Sequence, residues 1–403
     1  MPTSFRSGFI RPCGTLWGAV PTGIVQKINC AFCIVNRALN YCSPLHFSPV
    51  VNIMYISLYK GVFMDIKELC KKLIEGAGVS GACHTMTSAA EILSQYADVR
   101  TDAMGSIIGT VGEGRTHIML DAHLDRIGLI VTDVDKTGFL RVDKCGGTDA
   151  RVLAAADVTV WGKEPVYGVI TSTPPHLSKA DDESKAPDFD SIFVDTGLPY
   201  EKLSSIVSVG DRITIDAPFT SLAGTRIAGA ALDDRIGMAA LVRVLDIIKE
   251  KNPPVKVSVL FSVQEETTEA GGKTATFGIS PDEAIAVDVS FGTAPGVSEQ
   301  EAGKLGGGAM ICISPSLSQE MSSKLISLAK ENDIKYQTEI CPSSTGTNAD
   351  VISTTKTGVK TGLVSIPLRN MHTQAEVADL EDIESVAQVI AAYIINKGEE
   401  DNA

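Results

Sequence analysis

Aromatic side chains make up only 5% of the 403 residues, with two tryptophans, so there is little flat surface on which to stack a sugar ring. Cations are outnumbered as well, with 35 Lys and Arg against 49 Asp and Glu and a formal charge of −14. A face that grips nucleic-acid phosphates needs clustered Lys and Arg, so the balance argues against nucleic acid as a partner. It disfavours anionic membrane surfaces too. No apolar run is long enough to span a bilayer, because Ser, Pro, Asn or a charge interrupts each one. Paired cysteine spacing is also missing after Met64. Cys70, Cys83, Cys145, Cys312 and Cys341 read as buried thiols of a reducing compartment, and a cytoplasmic enzyme is the simplest outcome.

One absence is local. Residues 1–63 carry Arg6, Arg11, Lys27, Arg37 and Lys60 but no Asp or Glu, and four of the nine cysteines (Cys13, Cys30, Cys33, Cys42) lie there. No helical or alternating period persists. Three readings are open: an upstream extension that is not part of the fold, an organellar presequence, or a metal-binding appendage on Cys30-x-x-Cys33. The first is preferred, because a presequence lacks its amphipathic Arg helix here and His46 is the only local histidine.

What is present begins at Met64. Ile66, Leu69, Cys70, Leu73 and Ile74 fall on one helical face, and Gly76-Ala-Gly78 ends it. Residues 255–263 alternate as a strand, 284–288 and 362–367 are apolar strands, and 234–250 read as a helix through Ile236, Leu241, Val244, Leu245 and Ile248. Between them, 128–134, 157–161 and 212–215 are short β stretches split by Gly and Pro, with a Gly210-Asp211 turn and a polar loop at 178–187. The expected architecture is α/β. A three-layer catalytic domain with a mixed sheet comprises 64–124 and 223–403, and an inserted, barrel-like all-β domain comprises 125–222. Such an insertion has sheet edges to protect, which suggests contacts between copies.

Chemistry collects where strands end. His123 closes the run Ile-Met-Leu-Asp-Ala-His, Glu265-Glu266 closes the strand at 259–266, Asp288 closes 284–288, and His372 follows 362–367. Open α/β sheets build their sites just there. With Asp233 added and Glu265 left free to handle a proton, these are two imidazoles and three carboxylates, the set two divalent cations need if one carboxylate bridges them. Asp125, two residues after His123, can orient that ring. The ligands contain no thiolate, which suits Zn²⁺, Co²⁺ or Mn²⁺.

The chain resembles the M42 family of dinuclear metallo-aminopeptidases, which includes glutamyl and deblocking aminopeptidases and tetrahedral peptidases. The likeness rests on His-Leu-Asp-Arg-Ile-Gly (123–128), Ala-Leu-Asp-Asp-Arg-Ile-Gly (231–237), Val-Gln-Glu-Glu (263–266), Ala-Val-Asp-Val (286–289) and Arg-Asn-Met-His-Thr-Gln-Ala-Glu (369–376). It implies that Asp233 bridges both metals, that His123 and Asp288 complete one site, and that Glu266 and His372 complete the other. It implies further that Glu265 is the general base, that Asp125 holds His123, and that the Asp233–Asp234 peptide is cis. Peptides with free N-termini would be the substrates, and the insertion would join dimers that build a dodecamer. Departures from the family pattern at Cys83, Ser106, Arg126, Asn348 and Asn370 bear on side-chain preference and metal affinity and leave every ligand in place. Two other classes stay open: a catalytically silent assembly protein of the same fold, and a glycan hydrolase using a carboxylate pair, although the latter leaves both histidines unexplained.

Overall fold

The computed structural model describes residues 64–83, 86–173, 175–177 and 186–403. The readings of residues 1–63 therefore lie outside the described residues, as does nearly all of the expected loop at 178–187.

The strands in chain order are β1 (Asp98–Thr101), β2 (Ile107–Val111), β3 (His117–His123), β4 (Gly128–Val134), β5 (Phe139–Cys145), β6 (Asp157–Trp161), β7 (Pro165–Ile170), β8 (Phe193–Asp195) and β9 (Arg212–Ile215). Then follow β10 (Thr220–Ser221), β11 (Arg226–Gly229), β12 (Lys256–Ser262), β13 (Glu283–Phe291), β14 (Ala309–Ile313), β15 (Tyr336–Ile340), β16 (Lys360–Leu368) and β17 (Glu376–Asp379). The longer helices are α1 (Ile66–Ile74), α2 (Leu232–Lys251), α3 (Ala270–Ile279), α4 (Gln319–Glu331) and α5 (Leu380–Asn402).

Eight strands form one sheet in the order β1-β2-β12-β3-β13-β16-β14-β15. It is mixed: β12, β3, β13 and β16 run parallel, whereas β2 against β12 and β14 against β16 are antiparallel. Alternate residues feed two cores, as the two-residue period of a strand requires. Ile118, Leu120, Val257, Val259, Ile285 and Val287 face the helices α1, α2, α4 and α5. Met119, Leu260, Ala284 and Ala286 face α3 and the short helix Asn348–Ser353. This is the three-layer α/β arrangement expected from the pattern.

The second assembly of strands is a closed barrel, β4-β5-β8-β7-β6-β9, filled by residues such as Leu129, Val142, Val160, Val194 and Ile213. Closure leaves these six strands without a free edge. Edge protection is therefore no reason for this segment to bind another copy, and that part of the sequence argument is corrected.

Helix α1 buries Leu69, Cys70, Leu73 and Ile74, the expected face, and the chain turns away at Gly78 with φ +59°. Helix α2 spans Leu232–Lys251 and buries the expected apolar positions, but Asp233 and Asp234 are non-helical and the peptide between them is cis. Arg235 has no exposure and donates to the carbonyls of Leu73, Gly76, Ala77 and Leu124. It thereby latches the end of α1 to the residue after His123. Three of these bonds are buried and the one to Gly76 is part-buried, and carbonyls so placed need donors, which is why a cation is tolerated there.

All five cysteines from Cys70 onward are free thiols, but Cys145 and Cys341 are only half-buried, a correction to their reading as core residues. The Cys312 and Cys341 sulfurs lie 3.3 Å apart, a neighbourhood that a separation of 29 positions conceals. Among the described residues no helix is long and apolar enough to cross a membrane.

Candidate metal centre

The parallel strands β3, β12 and β13 end side by side, with His123 in register with Ser262 and Ala286 with Asp121. His123 is the last residue of β3, Glu265 and Glu266 open the short helix just after β12, and Asp288 sits on β13. Asp233 enters from the start of α2 and His372 from the turn between β16 and β17. The structure thus brings together residues up to 249 positions apart. A cavity of about 660 Å³ opens onto them, lined by Asp233, Glu265, Glu266, Asp288 and His372 among others.

The contacts have a definite order. His123 Nε2 lies 3.0 Å from Asp233 Oδ1, 3.8 Å from Asp288 Oδ1 and 3.9 Å from Glu265 Oε2. His372 Nε2 lies 3.3 Å from both Asp233 Oδ2 and Glu266 Oε2. The two oxygens of Asp233 therefore face different imidazoles. Four-coordinate ligands at about 2.0–2.2 Å from an ion stand roughly 3.4 Å apart, so this spacing fits donors grouped around cations.

Asp125 departs from expectation. His123 Nδ1 donates to the backbone carbonyl of Asp125 at 2.9 Å, and the Asp125 carboxylate is 3.8 Å away. A carbonyl can only accept, so Nδ1 carries a proton, and Nε2 is the ring atom turned toward the cluster. The Asp125 carboxylate instead accepts the backbone N–H of Glu265 at 3.1 Å. The ring is held by residue 125, but through the main chain, and the side chain holds the glutamate pair.

Charge in the cluster is unbalanced. Burial pushes Glu265 up to about 9, with Asp288, Glu266 and Asp233 adding to the rise against His123. Burial likewise raises Asp288, Asp234 and Glu266. Asp233 is held low against its burial by hydrogen bonds from His123 and His372. Hydrogen bonds to Asp233 and Glu266 raise His372 to about 11. Burial alone would lower His123, yet Asp233, Glu265 and Asp288 lift it well above its usual value. Without added cations such a group takes up protons to offset its acids. Buried Glu266 Oε1 and Asp234 Oδ2 have no hydrogen-bond partner, and no Lys or Arg is among the described residues lining the cavity. Acceptor-only oxygens left bare beside two imidazoles are the signature of a site that fits divalent cations.

Several supporting residues were not foreseen. Glu376 accepts the backbone N–H of Asp233 (3.2 Å) through one oxygen and that of His372 (3.0 Å) through the other, which ties two distant segments together. Asp234 Oδ1 accepts the N–H of Gly237, and its carboxylate lies within reach of His123 and Asp288. At Gly147, beyond β5, a Cβ would stand 2.5 Å from His372 Nδ1, so only glycine lets the loop approach that ring. The signals were faint: Glu376 ends a quoted motif and Asp234 completes an Asp pair, but Gly147 has no local mark. Of the departures from the family pattern, Asn348 donates to Asp121 (2.9 Å) and Ser262 (2.8 Å) beneath His123, and Arg126 donates to Ile215 O of the barrel at 2.8 Å.

The chain was compared with known proteins. Residues 105–389 match the family described as M42 glutamyl aminopeptidase. A lysyl aminopeptidase of Pyrococcus furiosus is 35% identical over 336 residues, 81% of this chain and 96% of that protein. The solved structure of an aminopeptidase from Desulfurococcus kamchatkensis superposes with a TM-score of 0.77 at 32% identity, covering 82% of this chain and 94% of that one. A TET1 peptidase of Pyrococcus horikoshii, described as able to assemble into a tetrahedron or a large octahedral shell, superposes with a TM-score of 0.74 at 29% identity, covering 82% and 99%.

Proposed function

The chain belongs to the M42 peptidase family and is a peptide hydrolase, and from that premise we propose that it removes the first residue of peptides at a centre holding two divalent cations. The observation that carries this reading is the placement of Asp233 between two imidazoles, one on each oxygen. His123 and Asp288 complete one ligand set, Glu266 and His372 the other, and Asp233 belongs to both. Cations bound there would supply an acidified water and a polarised scissile carbonyl.

The protein's own groups do the rest. Glu265 takes the proton of the attacking water and delivers it to the leaving amine. Asp125 fixes the Glu265 backbone, and its carbonyl fixes the His123 tautomer. Glu376 holds Asp233 and His372 at their spacing. Acidic groups around the cavity attract a free α-amine, which restricts attack to the first peptide bond. The donor set suits Zn²⁺, Co²⁺ or Mn²⁺. Free thiols and a negative surface support a cytoplasmic setting.

Metal removal is the direct test. After dialysis against a chelator the protein should release no amino acid from unblocked peptides, and Zn²⁺, Co²⁺ or Mn²⁺ should restore release. N-acetylated peptides should stay intact throughout. Amino-acid release that survives chelation would overturn the metal mechanism, while an inert protein at full metal loading would favour the silent scaffold.

Assembly follows from the same reading. We assign residues 64–124 and 223–403 to catalysis and 125–222 to contacts between copies. The architecture of the Pyrococcus horikoshii relative supports a closed shell. Light scattering on the eluting peak should then give about twelve times the 42.6 kDa chain mass. A strict monomer at micromolar concentration would remove this part of the reading and leave the chemistry standing.

A further inference from the structure

The cavity beside the metal centre contains acids that the hydrolytic mechanism does not use. Glu269, Glu301 and Glu339 line it together with Asp233, Glu265, Glu266 and Asp288, and no Lys or Arg is among its described lining residues. Glu301 is exposed and Glu269 half-buried. Glu339 differs in being built in. It stands on β15, where Ser290 Oγ of β13 donates to one carboxylate oxygen and Ser365 Oγ of β16 donates to the other at 2.9 Å. Those two hydroxyls fix its direction but do not neutralise it. An ionised carboxylate accepts about four hydrogen bonds, so roughly two remain open.

Its distance from the chemistry is set by the sheet. Ser365 is in register with Asp288 on β13 and with Met310 on β14. The Glu339 carboxylate, bonded to Ser365, is therefore about one to two strand spacings of ~4.8 Å from the proposed ligand Asp288. A four-carbon lysine stem covers that span. Met310, Leu363 and Phe291 line the same cavity and offer apolar surface to the stem. Burial raises the Glu339 carboxyl, and no Lys or Arg among the described lining residues offsets it.

We propose that Glu339 sets a preference for a basic N-terminal residue by receiving the side-chain ammonium or guanidinium of lysine or arginine. This rests on the aminopeptidase reading and names its substrate class. An acidic first residue would meet Glu269, Glu301 and Glu339 in the same cavity and be repelled. A neutral one would leave Glu339 with its two serine donors but no counter-charge, and a charge left unpaired is what makes such a pocket selective.

The test is kcat/KM of the metal-loaded full chain on lysyl-, arginyl-, leucyl- and glutamyl-p-nitroanilide. Lysyl and arginyl substrates should exceed leucyl by about tenfold or more, and glutamyl should be slowest. Glu339→Gln should lower the lysyl-to-leucyl ratio by about tenfold or more, mainly through KM, with leucyl turnover held within about threefold. A merely structural Glu339 would lower both substrates together and leave the ratio unchanged, which overturns the proposal. So would a wild-type protein faster on glutamyl or leucyl substrate, a result that needs no variant to fold and leaves the aminopeptidase reading intact. Hydrolysis of none of the four would overturn that reading, and this one with it.

Discussion

Replacing Glu265 by glutamine is expected to cut turnover by roughly 10²–10⁴-fold, the contribution of a positioned general acid–base, while the bound metal stays unchanged. Glutamine keeps the size of the side chain and its backbone bond to Asp125, but it cannot take a proton. Glu265 Oε2 is 3.9 Å from His123 Nε2, against 3.0 Å for Asp233, which sets it outside the tightest part of the donor cluster. Burial holds the carboxyl at about 9 before any cation is considered. Positive charge received by the neighbouring donors lowers that value toward neutrality, where a base that must also return its proton works best. Elemental analysis beside peptide turnover checks the assignment. Loss of metal in Glu265→Gln would make this residue a ligand, and near-normal turnover would end its role as base.

Asp233→Asn should behave in the opposite way, losing metal and activity together. Its two oxygens face His123 and His372, and burial is tolerated because both rings donate to it. An amide presents one oxygen and one NH₂, so one imidazole would confront a donor where it now meets an acceptor. A neutral group also removes the negative charge that two dications share. The loss should exceed the about 10–100-fold typical of removing a mere orienting partner. Titrating Zn²⁺ into the variant while following turnover and metal content measures it. A variant that retains both metals would show that another carboxylate bridges, with Asp234, close to His123 and Asp288, the first to examine.

Much of the architecture and the candidate ligands could be read along the chain, because both obey local rules. Strand β3 shows its faces in the alternation of Ile118, Leu120 and Ala122 with Met119 and Asp121, so the position of His123 at its end follows from a period of two. Helix α1 and the interior of α2 display a helical face in the same way. The strand-end residues His123, Glu265, Glu266 and Asp288 inherit their proximity from the parallel order of β12, β3 and β13.

The remainder depended on approaches between distant segments. Whether the short β stretches formed an open sheet or a barrel was decided by β4 meeting β9, about 80 residues on, and closure removed the edges that the sequence had seemed to leave exposed. That His123 is held by the carbonyl of residue 125, with its carboxylate turned toward Glu265, was settled by backbone direction, to which residue type is blind. Glu376 and Gly147 matter through what stands opposite them, and Glu339 becomes a candidate only because β15 lies three strands from β13, beyond β16 and β14. The sequence by itself determined which faces are apolar and where carboxylates and imidazoles interrupt them, since hydrophobic periodicity is a property of neighbours along the chain. Tertiary structure alone decided which of those polar groups share a cavity, because that depends on strand order and long-range packing, which no local period encodes.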